Sequence, residues 1–114
     1  MMLKDYAKTL YEVNRDNTRY CVISASIVDC SLHIYRTDYQ EWEYNRRTGI
    51  VEGLDTLDEE NTKKLCERFR ITTSPNLVRI LKREFGKDGI AFFLSNFREF
   101  CDNHDIKYEH QAWY

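Results

Sequence analysis

The sequence predicts an α+β fold: an N-terminal helix, an antiparallel β-meander of three to four strands, then three helices and a short C-terminal strand. Three features carry that expectation. Apolar residues alternate with a period of two from Tyr20 to Ile27, and the second half of the chain repeats them at helical spacing. Between these regions, a short polar loop ending in Gly49 separates two β-prone runs.

Within residues 2–13, Leu3, Tyr6, Ala7, Leu10 and Val13 fall on one side at helical spacing, which predicts the first helix. The polar run Asn14 to Thr18 ends it. From Arg19 the period changes. Cys21, Ile23, Ala25 and Ile27 alternate with Tyr20, Val22, Ser24 and Ser26, and a second strand with Leu32 and Ile34 follows a turn near Asp29. Strands near 39–45 and 49–54 flank a type I turn closed by Gly49, where a left-handed residue is least costly as glycine. Thr56-Leu57-Asp58-Glu59 has the pattern of a capping box, and Leu65, Cys66 and Phe69 form the stripe of the helix behind it. Ser74 and Pro75 open the next helix, with Leu77, Ile80, Leu81 and Phe85 on its apolar face and Gly86 at its end. A third helix after Asp88 carries Ile90, Phe93, Leu94, Phe97, Phe100 and Cys101. The tail from Ile106 alternates and is expected to return as a strand.

The whole chain of 114 residues, 1–114, reads as one globular domain, since 42% of it is hydrophobic and 14% aromatic. No apolar run approaches the roughly 20 residues that cross a bilayer as a helix. Lys4, Asp5, Lys8 and Glu12 interrupt the apolar residues of the N-terminus, unlike a signal peptide, so a cytoplasmic protein with reduced thiols is expected. Its four cysteines, Cys21, Cys30, Cys66 and Cys101, have no paired spacing, and only Cys21 and Cys30 suggest a facing pair across a hairpin.

Enzyme chemistry finds little support. There is no nucleophile elbow or phosphate-cradling glycine loop, and His33, His104 and His110 lie in no catalytic signature. Cys101 and His104, one helical turn apart, would need His110 and Cys66 to complete a metal site. Glu41 and Glu43 share a strand face near Asp55, Asp58, Glu59 and Glu60, as a small metal-dependent enzyme would require, but a solvated strand face alternating with Trp42 and Tyr44 explains the same residues more simply. The expectation is a non-enzyme without a cofactor.

Charge is more informative by segment than in total, where the net is −2. Residues 1–61 sum to −5, residues 62–87 to +6 and residues 88–114 to −3. Two surfaces follow. The acidic one groups Tyr39, Glu41, Trp42, Glu43, Tyr44, Glu52 and Asp55, with Asp38 beside them. Tyrosine and tryptophan anchor interfaces, and acidic groups steer encounter with positive grooves. The partner expected there is a protein, a nucleic-acid-processing enzyme with a basic surface, and the chain would regulate or inhibit it. Small single-domain proteins of phages and mobile elements, anti-CRISPR proteins among them, share this size and lack of motifs; the analogy is with that class. The basic surface supports an alternative: a helix-turn-helix-like pair at 58–86 meeting DNA through Asn76, Arg79, Lys82, Arg83 and Lys87. Arg70 there replaces the usual turn glycine.

Overall fold

Among the described residues, five antiparallel strands form one sheet in the order of the chain, and three α-helices inserted before the last strand cover one of its faces. The computed structural model describes residues 2–16, 19–42 and 47–113, with backbone alone at strand positions 14–16, 19, 40–42 and 47–51. The strands are β1 (Tyr6–Asp16), β2 (Arg19–Val28), β3 (Ser31–Trp42), β4 (Arg47–Leu57) and β5 (Glu109–Trp113). The helices are α1 (Glu59–Phe69), α2 (Ser74–Phe85) and α3 (Phe93–Asn103), the last preceded by a short 3-10 turn, Ile90–Phe92.

The α+β class holds, and the N-terminal element differs: residues 6–16 are a strand where a helix is expected. Thr9 pairs with Ser24 and Tyr11 with Ile23, so Leu10 is an extra residue in a β-bulge. The bulge puts Leu10 in the core, beside Tyr11, and changes the phase of the strand. Buried positions therefore fall at Leu3, Leu10 and partly Tyr6 and Tyr11, a spacing that imitates a helical stripe. The β-prone Tyr6, Thr9, Tyr11 and Val13 agree with the observed state. The strand count changes too, because the expected strands at Leu32 and at 39–45 are one long strand, β3, through Trp42. The turn expected between Trp42 and Gly49 includes residues 43–46, outside the described residues.

Alternation in β2 is as expected, with Ile23, Ala25 and Ile27 buried beneath the helices. Val28 pairs with Ser31 across a two-residue turn in which Asp29 and Cys30 are both left-handed, φ 50° and 63°. The right-handed twist of the flanking strands favours such a turn. Asp29 N–H donates to the Asp5 carboxylate at 3.1 Å, which draws the N-terminal segment over the turn. Cys21 and Cys30 lie near opposite ends of β2, too far apart for a disulfide, and both thiols are free.

Asp58, rather than Thr56, caps α1, and its carboxylate accepts from Asn61 N–H at 2.8 Å. Thr56 stays in β4 opposite Glu109. The Thr62 hydroxyl, fully buried in the next turn, accepts from Leu32 N–H at 3.1 Å and donates to the Leu57 carbonyl at 3.2 Å. Arg70 ends α1 in the left-handed conformation, φ 56°, where the sequence lacks the usual glycine. Helix α2 begins at Ser74, one residue earlier than expected; Thr73 is its cap position, and the Ser74 hydroxyl donates to the Lys4 carbonyl.

Phe85 is the hub of the helical layer. Its ring meets Phe97 at 5.4 Å, Phe100 at 5.3 Å, and Phe69 and Phe93 at 6.4 Å. Gly86 follows at the helix end, and close approach explains it, since its φ of −93° is open to other residues. A Cβ there would stand 1.7 Å from Tyr11 Oη and 2.5 Å from the Lys82 carbonyl. Gly86→Ala is therefore expected to cost at least about 2 kcal/mol in urea unfolding, as overpacked sites do. Tyr11→Phe in the same chain should recover only part of that loss, because the Lys82 carbonyl remains in place.

Candidate interaction surface

The pleat of the sheet sorts the acidic and aromatic residues of the central strands onto opposite faces. On β3, Arg36 and Asp38 share the helix-side face with Leu32 and Ile34, while Tyr35, Thr37 and Tyr39 share the outer face. On β4, Asp55 lies on the helix side with Leu57, while Glu52, Leu54 and Thr56 lie outside. The predicted cluster is thus divided. Tyr39 and Glu52 stand together on the outer face. Glu41 and Trp42 occupy β3 positions opposite Thr48 and Arg47, where only backbone is described. Glu43 and Tyr44 lie outside the described residues.

Asp55 does not belong to the partner surface that the sequence suggests. It is only 1% exposed, and Arg98 of α3 grips its carboxylate in a bidentate pair, Nε at 2.8 Å and Nη2 at 3.1 Å. His110 of β5, its register partner, donates from Nδ1 to the same carboxylate. That bond requires the proton on Nδ1, so the Arg98 Nη2 contact to this nitrogen, 3.1 Å, joins two donors and is packing only. Asp38 is also occupied, by Arg36 at 2.7 Å. Two of the acidic residues in the sequence cluster therefore serve the helix side of the sheet.

No helix covers the outer face among the described residues. Tyr20 and Tyr39 are register partners whose rings stack at 5.3 Å. Tyr35 pairs with Leu54 four residues further along β3, beyond the Thr37–Glu52 pair, and Glu52 pairs with Trp113, which is 47% exposed. Ser24, Ser26, Thr37 and Thr56 fill the spaces between them. Glu12, Glu52 and Glu109 are charged, and no lysine or arginine has a described side chain on this face. Sequence reasoning missed Tyr20, Tyr35 and Trp113 as members of the surface. The signal was present as strand parity, because Tyr20, Tyr35 and Tyr39 fall on one face once β2 and β3 are paired in register.

The basic residues are differently placed. Asn76, Arg79, Lys82 and Arg83 line a cleft between α2 and the edge strand β1, together with Lys8 and Tyr6. Lys87 is exposed beyond the helix end and pairs with Glu84 at 3.4 Å. In a helix-turn-helix pair this face of the second helix would project freely; here strand β1 flanks it.

The candidate metal ligands do not meet. Cys66 and Cys101 are buried in the core, His104 stacks on Phe100 at 4.0 Å, and His110 is held by Asp55. Among the described residues, no three potential ligands converge. Burial pushes the Cys66 thiol up to about 11 and the Cys101 thiol up to about 12. Cys21 rises to about 11, through burial first and the Asp38 carboxylate second. These are thiols poorly suited to nucleophilic work. No protein-family model, curated protein or solved structure matches the chain.

Two expectations follow. Arg98→Met, which strands the Asp55 carboxylate, should destabilise the fold by about 3 kcal/mol in urea titration. Asp55→Leu added to Arg98→Met should be more stable than Arg98→Met alone, since no buried charge is then left. The thiols should give a pH signature. The unfolded chain ionises its cysteines near pH 8.5 while the folded chain holds these three protons to about 11 or above. Stability should therefore be unaffected by them below pH 8 and fall as the pH rises beyond about 9. At pH 8 a thiol reagent should label Cys30 first, and Cys66 and Cys101 only on unfolding.

Proposed function

We propose that the chain is a non-enzymatic regulator that binds another protein through the outer face of its sheet. The observation that carries this reading is the composition of that face: Tyr20, Tyr35, Tyr39, Leu54 and Trp113 around Glu52, with no described cation among them. Tyrosine offers large contact area with little rotamer entropy to lose, and serine and threonine between tyrosines give adaptable hydrogen bonding. Tyr20 and Trp113 are exposed on this face, at 39% and 47%, and exposed apolar patches rimmed by polar residues mark interaction sites.

The charge of the face favours a basic partner. Glu12, Glu52 and Glu109 would steer encounter with a positive surface, such as the one an enzyme uses to hold nucleic acid. An acidic face seated there would exclude the phosphate backbone, so inhibition is the proposed outcome. This is the mode of action expected of small inhibitors from phages and mobile elements, the class suggested by size and lack of motifs.

Affinity purification from the producing cell, followed by titration of the recovered partner, tests the reading. Tyr39→Ala should weaken the partner about 30-fold, the size of an anchor residue worth about 2 kcal/mol. Glu52→Lys should lower the association rate and its salt dependence. Arg79→Glu with Arg83→Glu, on the other side of the molecule, should leave this partner bound. Loss of the partner through α2 and retention through Tyr39→Ala would reverse the assignment.

A further inference from the structure

We infer that the cleft between β1 and α2 is a second binding site, one that takes the phosphate backbone of single-stranded nucleic acid. The cleft has a volume of about 610 Å³. Four cations line it, Lys8 from the strand and Arg79, Lys82 and Arg83 from the helix, and no carboxylate does. Asn76 lies in the same wall and accepts from Arg79 Nη2 at 3.0 Å, which holds that guanidinium along the helix. Lys82 Nζ stands 5.2 Å from the centre of the Tyr11 ring. Glu84, the acid on the same helix, lies outside the lining and is shared between Arg83 at 3.3 Å and Lys87 at 3.4 Å.

Charge complementarity selects a polyanion. From Arg79 to Arg83 the helix rises about 6 Å, one turn, and Lys8 faces them from the strand, so the cations are spread along and across the cleft instead of meeting at a point. This suits a chain of phosphates better than one small anion. The net charge of −2 does not oppose it, because at 0.1 M salt the acids beyond about 10 Å are screened. Shape decides between polyanions. A duplex is too wide to enter a concave groove between a strand and a helix, whereas a single strand can lie in it with a base against Tyr6. An acidic peptide would have to gain affinity by adding a strand to β1. The bulge at Leu10 and the charge of Lys8 blunt that edge.

Fluorescence anisotropy with a labelled 20-nucleotide oligothymidylate tests the site on the full chain. Four phosphate contacts predict a slope of log affinity against log salt of about −3, at about −0.7 per contact. Arg79→Gln with Arg83→Gln should weaken binding at least about tenfold at 50 mM salt and halve that slope. Both side chains are exposed, and an unchanged circular dichroism spectrum confirms the fold. Lys63→Gln with Arg68→Gln on α1 should change affinity less than twofold. Tyr39→Ala should have no effect, so this site and the outer face succeed or fail separately. The inference is overturned if no binding is seen at 50 mM salt, or if the α1 variant loses as much as the α2 variant. It is equally overturned if a duplex binds as tightly as the single strand, or if polyglutamate displaces the oligonucleotide at equal charge concentration.

Discussion

The buried carboxylate of Asp55 is the constraint around which the two halves of the molecule are joined. It lies in the middle of the sheet between Ile34 of β3 and His110 of β5, on the face that the helices cover. A carboxylate removed from water must be paired and hydrogen-bonded, or the fold carries several kcal/mol of uncompensated desolvation. Its partners are Arg98, from the last helix, and His110, from the strand after that helix. The requirement can be met only if α3 lies over β4 and the chain then returns alongside it. Strand β5 exposes all five of its side chains, so burial contributes little to holding it. The β4 ladder and the polar tie at Asp55 do that work. Asn61 adds a second tie, donating to Asp58 at the start of α1 and accepting from Lys107 N–H just before β5.

Helical periodicity was legible wherever local signals and tertiary contacts agree. The stripes of α1, α2 and α3 face the core, with Phe69 and Phe100 half-buried at its edge, Ile90 falls in the 3-10 turn before α3, and Gly86 ends α2. Residues 2–13 show how the same inference fails. An apolar spacing of four is a helical signature only if the strand alternative is regular, and one bulged residue, Leu10, gives a strand that same spacing. The choice was made by β2, which pairs with β1 from Tyr6 to Asp16; no local window contains that information. Capping followed a similar course. Thr56 and Asp58 were both available to start α1, and the extension of β4 to Leu57 removed Thr56 from the competition.

The functional residues were legible by type but not by direction. The acidic, aromatic character of the central strands is plain in the sequence, yet its meaning depends on parity. A single step along β4 separates Leu54, on the open face, from Asp55, among the most deeply buried side chains. On β3, Asp38 and Tyr39 differ in the same way. Reading the acids as one surface joined residues that the pleat sets on opposite sides. The charge that remains outside is smaller than the sequence implies, and the aromatic content is larger, because β2 and β5 contribute Tyr20 and Trp113. On the proposed outer-face reading, this shifts the main source of affinity from charge to ring burial, with glutamates setting approach and selectivity.

The small net charge conceals a spatial separation with a physical cause. Helix α2 must present an apolar face to β1 and α3, which leaves its remaining positions, Asn76, Arg79, Lys82 and Arg83, directed to solvent at the edge of the sheet. The outer face of the sheet must remain wettable without a covering layer, and tyrosine, serine and threonine satisfy that while keeping β propensity. Neither arrangement requires the charges to be sorted by sign. Cations on the outer face would meet the same folding demands at similar energy, since isolated surface charges contribute little to stability. On α2 the helix dipole favours Lys82 and Arg83, in the last turn, by about 0.5 kcal/mol each, but it does not call for Arg79 or for Lys8 on the strand. The exclusion of lysine and arginine from the described side chains of the open face, and the pairing of Lys8 with Arg79 across a cleft that no carboxylate lines, have no such explanation in folding, and this is the physical ground for proposing ligands of opposite charge for the two surfaces.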